Sequence, residues 1–366
     1  MDQNDRWHEE NIGTLARHDQ IKFPQLIGDK LLYAYHQDEW YAALGDWRSR
    51  SWADILHLSM AEGQPLILGR GHDGRVRVQW YGITGNAYAD IPYACVSNGH
   101  LYHPAKLPNG RWCVVVDHKE TDDSYTKILG LSVHEGRIFL AVDDGQRQYV
   151  LDDGRRGQTW DAIWGHQLLN GRSLYAAKRE RDTYVVHGDN AVGPWHGVWN
   201  LKTYRDKPLY SIMDGNRHEV YFGACNWRSP TFVQDIACVN DKPFFSVKVD
   251  GAWTVMYDNV REGGFRRISR LFNNHAKPLY EAVALEGRSL FFGREQVTNV
   301  CDEVLTARPA LGNVVAICRV GESHQIRIGD KDQRTYAMAF GLRQKKHRFE
   351  CGAIAGSDIL LVKYNF

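Results

Sequence analysis

The chain has 366 residues, of which 43% are hydrophobic and 24% charged, the composition of an ordinary globular protein. Its net charge of +1 excludes a global pull toward nucleic acid or an anionic membrane, so any such attraction has to be local. No run of about 18 apolar residues is present to cross a bilayer, and the opening Met-Asp-Gln-Asn-Asp-Arg-Trp-His lacks the regions of a secretory signal, so no membrane partner and a cytoplasmic location are expected.

In chain order, residues 1–17 are set apart as an N-terminal extension, and 18–366 are expected to form a single domain built from one repeated unit. Three marks define the unit. An aromatic is followed three residues later by Ile or Val; an apolar pair then closes on an aromatic; a β-rich run ends at Gly or Asp. An opening copy holds Leu32-Tyr33 and Ala43-Leu44-Gly45, with His18 and Ile21 at the leading marks. Residues 38–60 mix Trp, Ala and Leu with charges and read as strand and loop. Later copies begin at Trp52 with Ile55, Tyr88 with Ile91, Tyr125 with Ile128 and Trp160 with Ile163. The clearest copies carry Tyr210, Phe245 and Tyr280, each 35 residues from the last. A degenerate copy holds Val314 to Cys318, and Ile359 to Val362 ends the array.

Each unit therefore consists of short strands rich in Val, Ile, Tyr and Phe, divided by turn pairs such as Glu135-Gly136, Asn170-Gly171, Asn240-Asp241 and Asp73-Gly74. A sheet this small cannot bury both of its faces, so neighbouring units have to stack. Half a unit at each end points to a closed array completed by both termini rather than an open solenoid. The expected fold is all-β: a closed β-propeller of nine to ten short repeat units, its ring closed by strands from both termini. The cadence of Asn170 to Ala177 followed by Tyr184 to Gly188 resembles the WD40-like and TolB-like β-propeller repeats of bacteria, and is also similar to bacterial WG-repeat proteins. The Trp-Asp and Gly-His signature of WD40 repeats does not recur, and Trp164-Gly165 is the sole Trp-Gly pair. The resemblance implies a propeller employed as a scaffold for protein interaction. It transfers no catalytic residue.

Trp52, Trp160, Trp195, Phe232 and Phe265 recur at a fixed place in the unit and are expected to pack between blades. Departures from the repeat are better functional candidates. The interval from Ile317 to Leu361 is 44 residues, an apparent insertion expected to form a loop at 341–352. It carries Arg343, Lys345, Lys346, His347 and Arg348, and a second cluster holds Arg261, Arg266, Arg267 and Arg270. On one face, these would form a surface for an acidic partner or nucleic acid. Trp227 and Trp47 lie outside the marks, in turn-like sequence, and are further candidates for partner contact.

The 16 histidines show no H-x-H or H-E-x-x-H spacing, so no metal is expected. His57 and His166 fall on the strands expected to be innermost, where packing is the favoured role. Seven cysteines without C-x-x-C spacing read as reduced thiols, with Cys238 and Cys318 in apolar runs. Asp122-Asp123 and Asp152-Asp153 sit in turn-rich sequence. Neither a nucleophile elbow nor a phosphate-binding loop is present, and no cofactor is expected. Protein binding without catalysis is the expected function. Binding or hydrolysis of a small molecule or carbohydrate in the central channel, and nucleic-acid binding through the basic loops, are the alternatives.

Overall fold

A computed structural model describes residues 6–15, 20–258, 260–274, 276–298, 301–310, 313–329 and 332–366. Among them there is no α-helix, so none is long and apolar enough to cross a membrane. The strands form ten four-stranded sheets, nine of them built from four strands consecutive in the chain. The protein is an all-β propeller of ten blades, at the upper end of the expected count. Blades 1 to 9 span 20–48, 54–84, 95–120, 127–160, 162–195, 197–229, 233–265, 267–296 and 303–336. Blade 10 combines Met338–Lys345, Arg348–Ala355 and Asp358–Asn365 with the N-terminal strand Trp7–Thr14.

Trp7 lies opposite Tyr364 and Thr14 opposite Asp358, so the two ends of the chain meet in one sheet. Residues 1–17 are therefore not an extension throughout, because Trp7–Thr14 supplies the fourth strand of this blade. Fourth strands are exposed: Arg155–Trp160 and Asn190–Trp195 bury only their final Trp. Trp-His-Glu-Glu-Asn-Ile-Gly-Thr follows the same rule and carries few apolar residues. It is held instead by polar contacts, including Tyr336 Oη to Glu9 and Lys363 to Glu10, both at 2.5 Å.

By their contacts the residues divide into two compact units, one of 6–15, 24–31 and the described residues from 209 onward, the other of 20–23 and 32–208. Within each unit the same local physics recurs. The hairpin pairs Glu135-Gly136, Asn170-Gly171 and Asn240-Asp241 all have φ between 47° and 80°, the left-handed values of the turn that matches strand twist. First strands carry a bulge just after their apolar mark, at Ile55/His57, Ile128/Gly130, Val233/Asp235, Ile268/Arg270 and Val304/Thr306. A bulge bends the strand and re-aims the side chains that follow it.

The leading aromatic ends the fourth strand of one blade and packs into the next. Trp52 bridges back to Trp40 of blade 1, yet its ring lies on Gly69 of blade 2, the residue paired with Ile55. Trp52 and Trp160 are almost wholly buried, as expected of packing residues. Phe232 departs from this expectation and is 41% exposed. Val233 occupies the place of Ile55, which puts Pro230 rather than Phe232 at the aromatic position. Both lie outside the core because the motif there is displaced by two residues.

The Trp52 ring fills the space a Cβ on Gly69 would need. Gly69→Ala is expected to destabilise the protein by about 2 kcal/mol through overpacking. Adding Trp52→Phe should restore part of that loss, since the two changes share one contact. Urea denaturation of the three variants checks this.

Candidate binding groove on blades 8 and 9

One position of the repeat bears a basic residue that, in two blades, faces an acid at the end of the third strand. His100 stands 2.5 Å from Asp117 in blade 3, and Lys242 stands 3.1 Å from Asp258 in blade 7. In blade 8 the equivalent residues are Lys277 and Gly293, since Leu279 pairs with Phe292 as Phe244 pairs with Tyr257. Glycine also takes this place in blade 5, where the stem of Arg172 lies over Gly188. The stem of Lys277 lies over Gly293 and its ammonium is 5.6 Å from the Phe292 ring. Among the described residues Lys277 has no carboxylate partner.

Lys277 opens onto a groove of about 920 Å³. Arg270 and Arg308 add two more cations, and Asn273, Asn274 and Gln344 add amides. Phe272, Phe292 and Pro309 supply apolar wall, and among the described residues no carboxylate lines the space. The loop that carries Lys277 is fixed from within: Asn273 Oδ1 accepts from Cys238 N at 2.9 Å, and Asn274 Nδ2 donates to Lys277 O at 2.6 Å. Arg270, placed just after the bulge of its strand, lies over Phe272 and donates to Leu305 O at 3.4 Å. Arg270 also borders a smaller polar cavity of about 260 Å³, shared with Arg267, Ser269, Glu281, Arg288 and Glu303. Glu281 is 4% exposed and ion-paired to Arg288 at 3.1 Å; burial raises its pKa above the ordinary carboxylate value.

The loop expected at 341–352 is a regular hairpin instead. Val304 pairs with Cys318 and Phe340 with Gly352, so the counterpart of Ile317 is Cys351, one ordinary repeat away. The apparent insertion came from matching a second strand to the third strand of blade 10. Its cations are also largely spoken for. Glu350, 1% exposed, takes Arg343 at 2.8 Å, Lys345 at 3.0 Å and Arg348 at 2.8 Å, and Arg343 donates to Gly28 O at 2.6 Å. Burial opposes ionisation of Glu350, but hydrogen bonds from Lys345 and Arg343 outweigh it and hold the pKa below 4.5. Lys346 and His347 form the exposed turn between the two strands.

The second cluster is divided. Arg267 and Arg270 reach the cavities, whereas Arg261 lies on the fourth strand of blade 7 opposite Met256, and Arg266 precedes blade 8. Gln344, from the middle of the basic hairpin, joins Arg270 in the groove. Trp227 opposite Val220 and Trp47 opposite Leu44 are half-buried on fourth strands, and neither lines it. His57 lies on the first strand of blade 2, 6.2 Å from the Phe23 ring. His166 sits at a bulge with Nε2 3.3 Å from Ser173 Oγ, and burial pushes its pKa down to about 4. Among the described residues no cluster of three or more His, Cys, Asp or Glu is able to hold a metal ion.

Lys277 and Arg308 escape a reading by residue clusters because neither stands in one. Gly293 in place of Asp258 is no signal by itself, since Lys30 with Gly45, Arg172 with Gly188 and Lys207 with Gly223 repeat the pairing.

No family model matches the chain, and no curated protein does. Among solved structures it is similar to the WD40 β-propeller domain of Doa1, with 9% identity over 65% of this chain and 93% of that one and a TM-score of 0.31. The β-propeller domain of the Trilobed protease from Pyrococcus furiosus shares 11% identity over 96% and 94%, with a TM-score of 0.32. Apo AztD from Citrobacter koseri shares 11% identity over 83% and 94%, with a TM-score of 0.36. The fold rests on the strand pairing described above.

Glu350→Gln strands three cations around a neutral amide. A loss of about 2 kcal/mol at pH 7 is expected, less than for a fully buried pair because the cations keep contact with water. The depressed pKa makes the carboxylate's contribution complete above pH 4.5, and it is lost as the pH falls through the folded-state value. The difference in stability between the wild type and the variant should therefore shrink below pH 4.5, as measured by urea unfolding across pH.

Proposed function

We propose that this propeller is a non-catalytic scaffold for protein interaction, and that the groove on blades 8 and 9 takes an acidic, partly apolar segment of a partner protein. The observation that carries this reading is the meeting of Lys277, Arg270 and Arg308 in a groove that no carboxylate lines among the described residues. Opposite charges steer such a segment in and fix its register. Phe272, Phe292 and Pro309 offer surface for apolar side chains between its acids. Nucleic acid is the less favoured partner. Three cations of the basic hairpin converge on Glu350, and the chain as a whole is close to neutral.

A fluorescently labelled peptide alternating Glu or Asp with Leu and Phe is a suitable probe, followed by anisotropy. It is expected to bind, and to bind more weakly as salt rises. Lys277→Glu and Arg308→Glu should each weaken binding by about tenfold. Gly293→Asp is the sharper test, because it rebuilds the ion pair of Lys242 with Asp258 at a backbone position where Asp258 already adopts a φ of 50°. It should close the site while leaving the unfolding midpoint close to that of the wild type. Peptide binding unaffected by all three variants, or stronger binding of a single-stranded oligonucleotide than of the peptide, would overturn the reading.

A further inference from the structure

In blade 9 the contact of aromatic on small residue is replaced by two cysteines. Cys301 stands three residues before Val304, as Trp52 stands before Ile55, and bridges to Arg288 as Trp52 bridges to Trp40. Cys318 pairs with Val304 as Gly69 pairs with Ile55. Because the Trp52 ring lies directly on Gly69, the same geometry sets Cys301 against Cys318. Both belong to one core cluster with Val304 and Phe292, and they are 4% and 0% exposed.

We infer that Cys301 and Cys318 are an oxidisable pair that forms a disulfide between blades 8 and 9 on reaction with a hydroperoxide. Two features favour the reaction. The proximity of Cys318, with smaller contributions from the Arg327 and Arg288 charges, lowers the pKa of Cys301 against the opposing effects of burial and Glu281. The same proximity, with burial, raises Cys318, which makes Cys301 the attacking sulfur. The polar cavity of about 260 Å³ is lined by Arg288, whose backbone is bonded to Cys301, and by Val304, which pairs with Cys318, so a peroxide-sized molecule held there is separated from the pair by these two residues.

The Cys301 thiolate attacks an oxygen of the peroxide bond. That bond breaks, the other oxygen leaves as water or an alcohol after taking up a proton, and Cys301 becomes a sulfenic acid. The Cys318 sulfur then displaces the sulfenic hydroxyl, which departs as water with the Cys318 proton. Two electrons pass from the thiols to the peroxide. The pair lies apart from the use of the groove, and its chemistry does not depend on what the groove binds.

The test is peroxide treatment of the full chain, alkylation under denaturing conditions, digestion without reduction and mass spectrometry. The expected product is a peptide joining Cys301 to Cys318 that disappears with dithiothreitol, while the buried Cys113, Cys238 and Cys351 are recovered as alkylated thiols. Oxidation should also raise the unfolding midpoint, reversibly. In Cys318→Ser, Cys301 should be trapped by dimedone as the sulfenic acid. A double variant, Cys301→Trp with Cys318→Gly, restores the packing of Trp52 on Gly69 and should lose the oxidation-dependent rise in midpoint. Recovery of Cys301 and Cys318 as separate alkylated thiols after both peroxide and diamide would reduce the pair to a packing substitution and overturn the inference.

Discussion

A four-stranded sheet of about 35 residues has too little apolar area to hold itself together, and every blade depends on what its neighbour presses into it. The contact that does this is the aromatic at the end of one blade's fourth strand, laid on a small residue in the second strand of the next. Trp52 on Gly69 is the clearest case, and its ring is almost wholly withdrawn from water. The bulge that follows the apolar mark belongs to the same device. It lets the first strand turn away after making its core contact, and so decides which side chains, Arg270 among them, leave the packed face.

Because this contact repeats, most of the fold was legible in the sequence. The apolar marks fall on first, second and third strands, where side chains alternate between two buried neighbours, and the leading aromatics end fourth strands. The rest of each fourth strand was illegible for the opposite reason. Arg155–Trp160 and Asn190–Trp195 face solvent until their last residue, and Trp7–Thr14 looked like an extension because it has the composition of an outer strand. The misplaced insertion has a related cause: Ile317 and Leu361 are both buried strand residues, and only strand pairing shows that they belong to different rows.

The candidate site was less legible, since charge density in the sequence and free charge in the structure are different quantities. Arg343, Lys345 and Arg348 form the densest basic run in the chain, yet all three point to one buried carboxylate. Lys277 belongs to a repeated motif and looked structural. Its partner position is a glycine, as it is beside Arg172 in blade 5, and what sets Lys277 apart is the groove its charge faces. In a repeat protein the surroundings of a motif residue, and not the motif alone, decide whether it is structural.

Two features of blades 8 and 9 differ in kind. Gly293 beside Lys277 does not supply the carboxylate that Asp258 gives Lys242, which matters only if something else supplies the negative charge. Replacing Trp and Gly by Cys301 and Cys318 changes both halves of a packing pair together, trading one large and one small side chain for two of intermediate size. Volume alone would account for such a swap, since many apolar pairs fill that space. What an apolar pair would lack is the thiol–thiol contact and the neighbouring guanidinium charges, which make one thiol easier to ionise than burial alone allows. Arg288 is bonded through its backbone to Cys301 and lines the polar cavity that Arg270 shares with the groove, so a disulfide there would form against the third strand of blade 8, two strands from the one that carries Arg270.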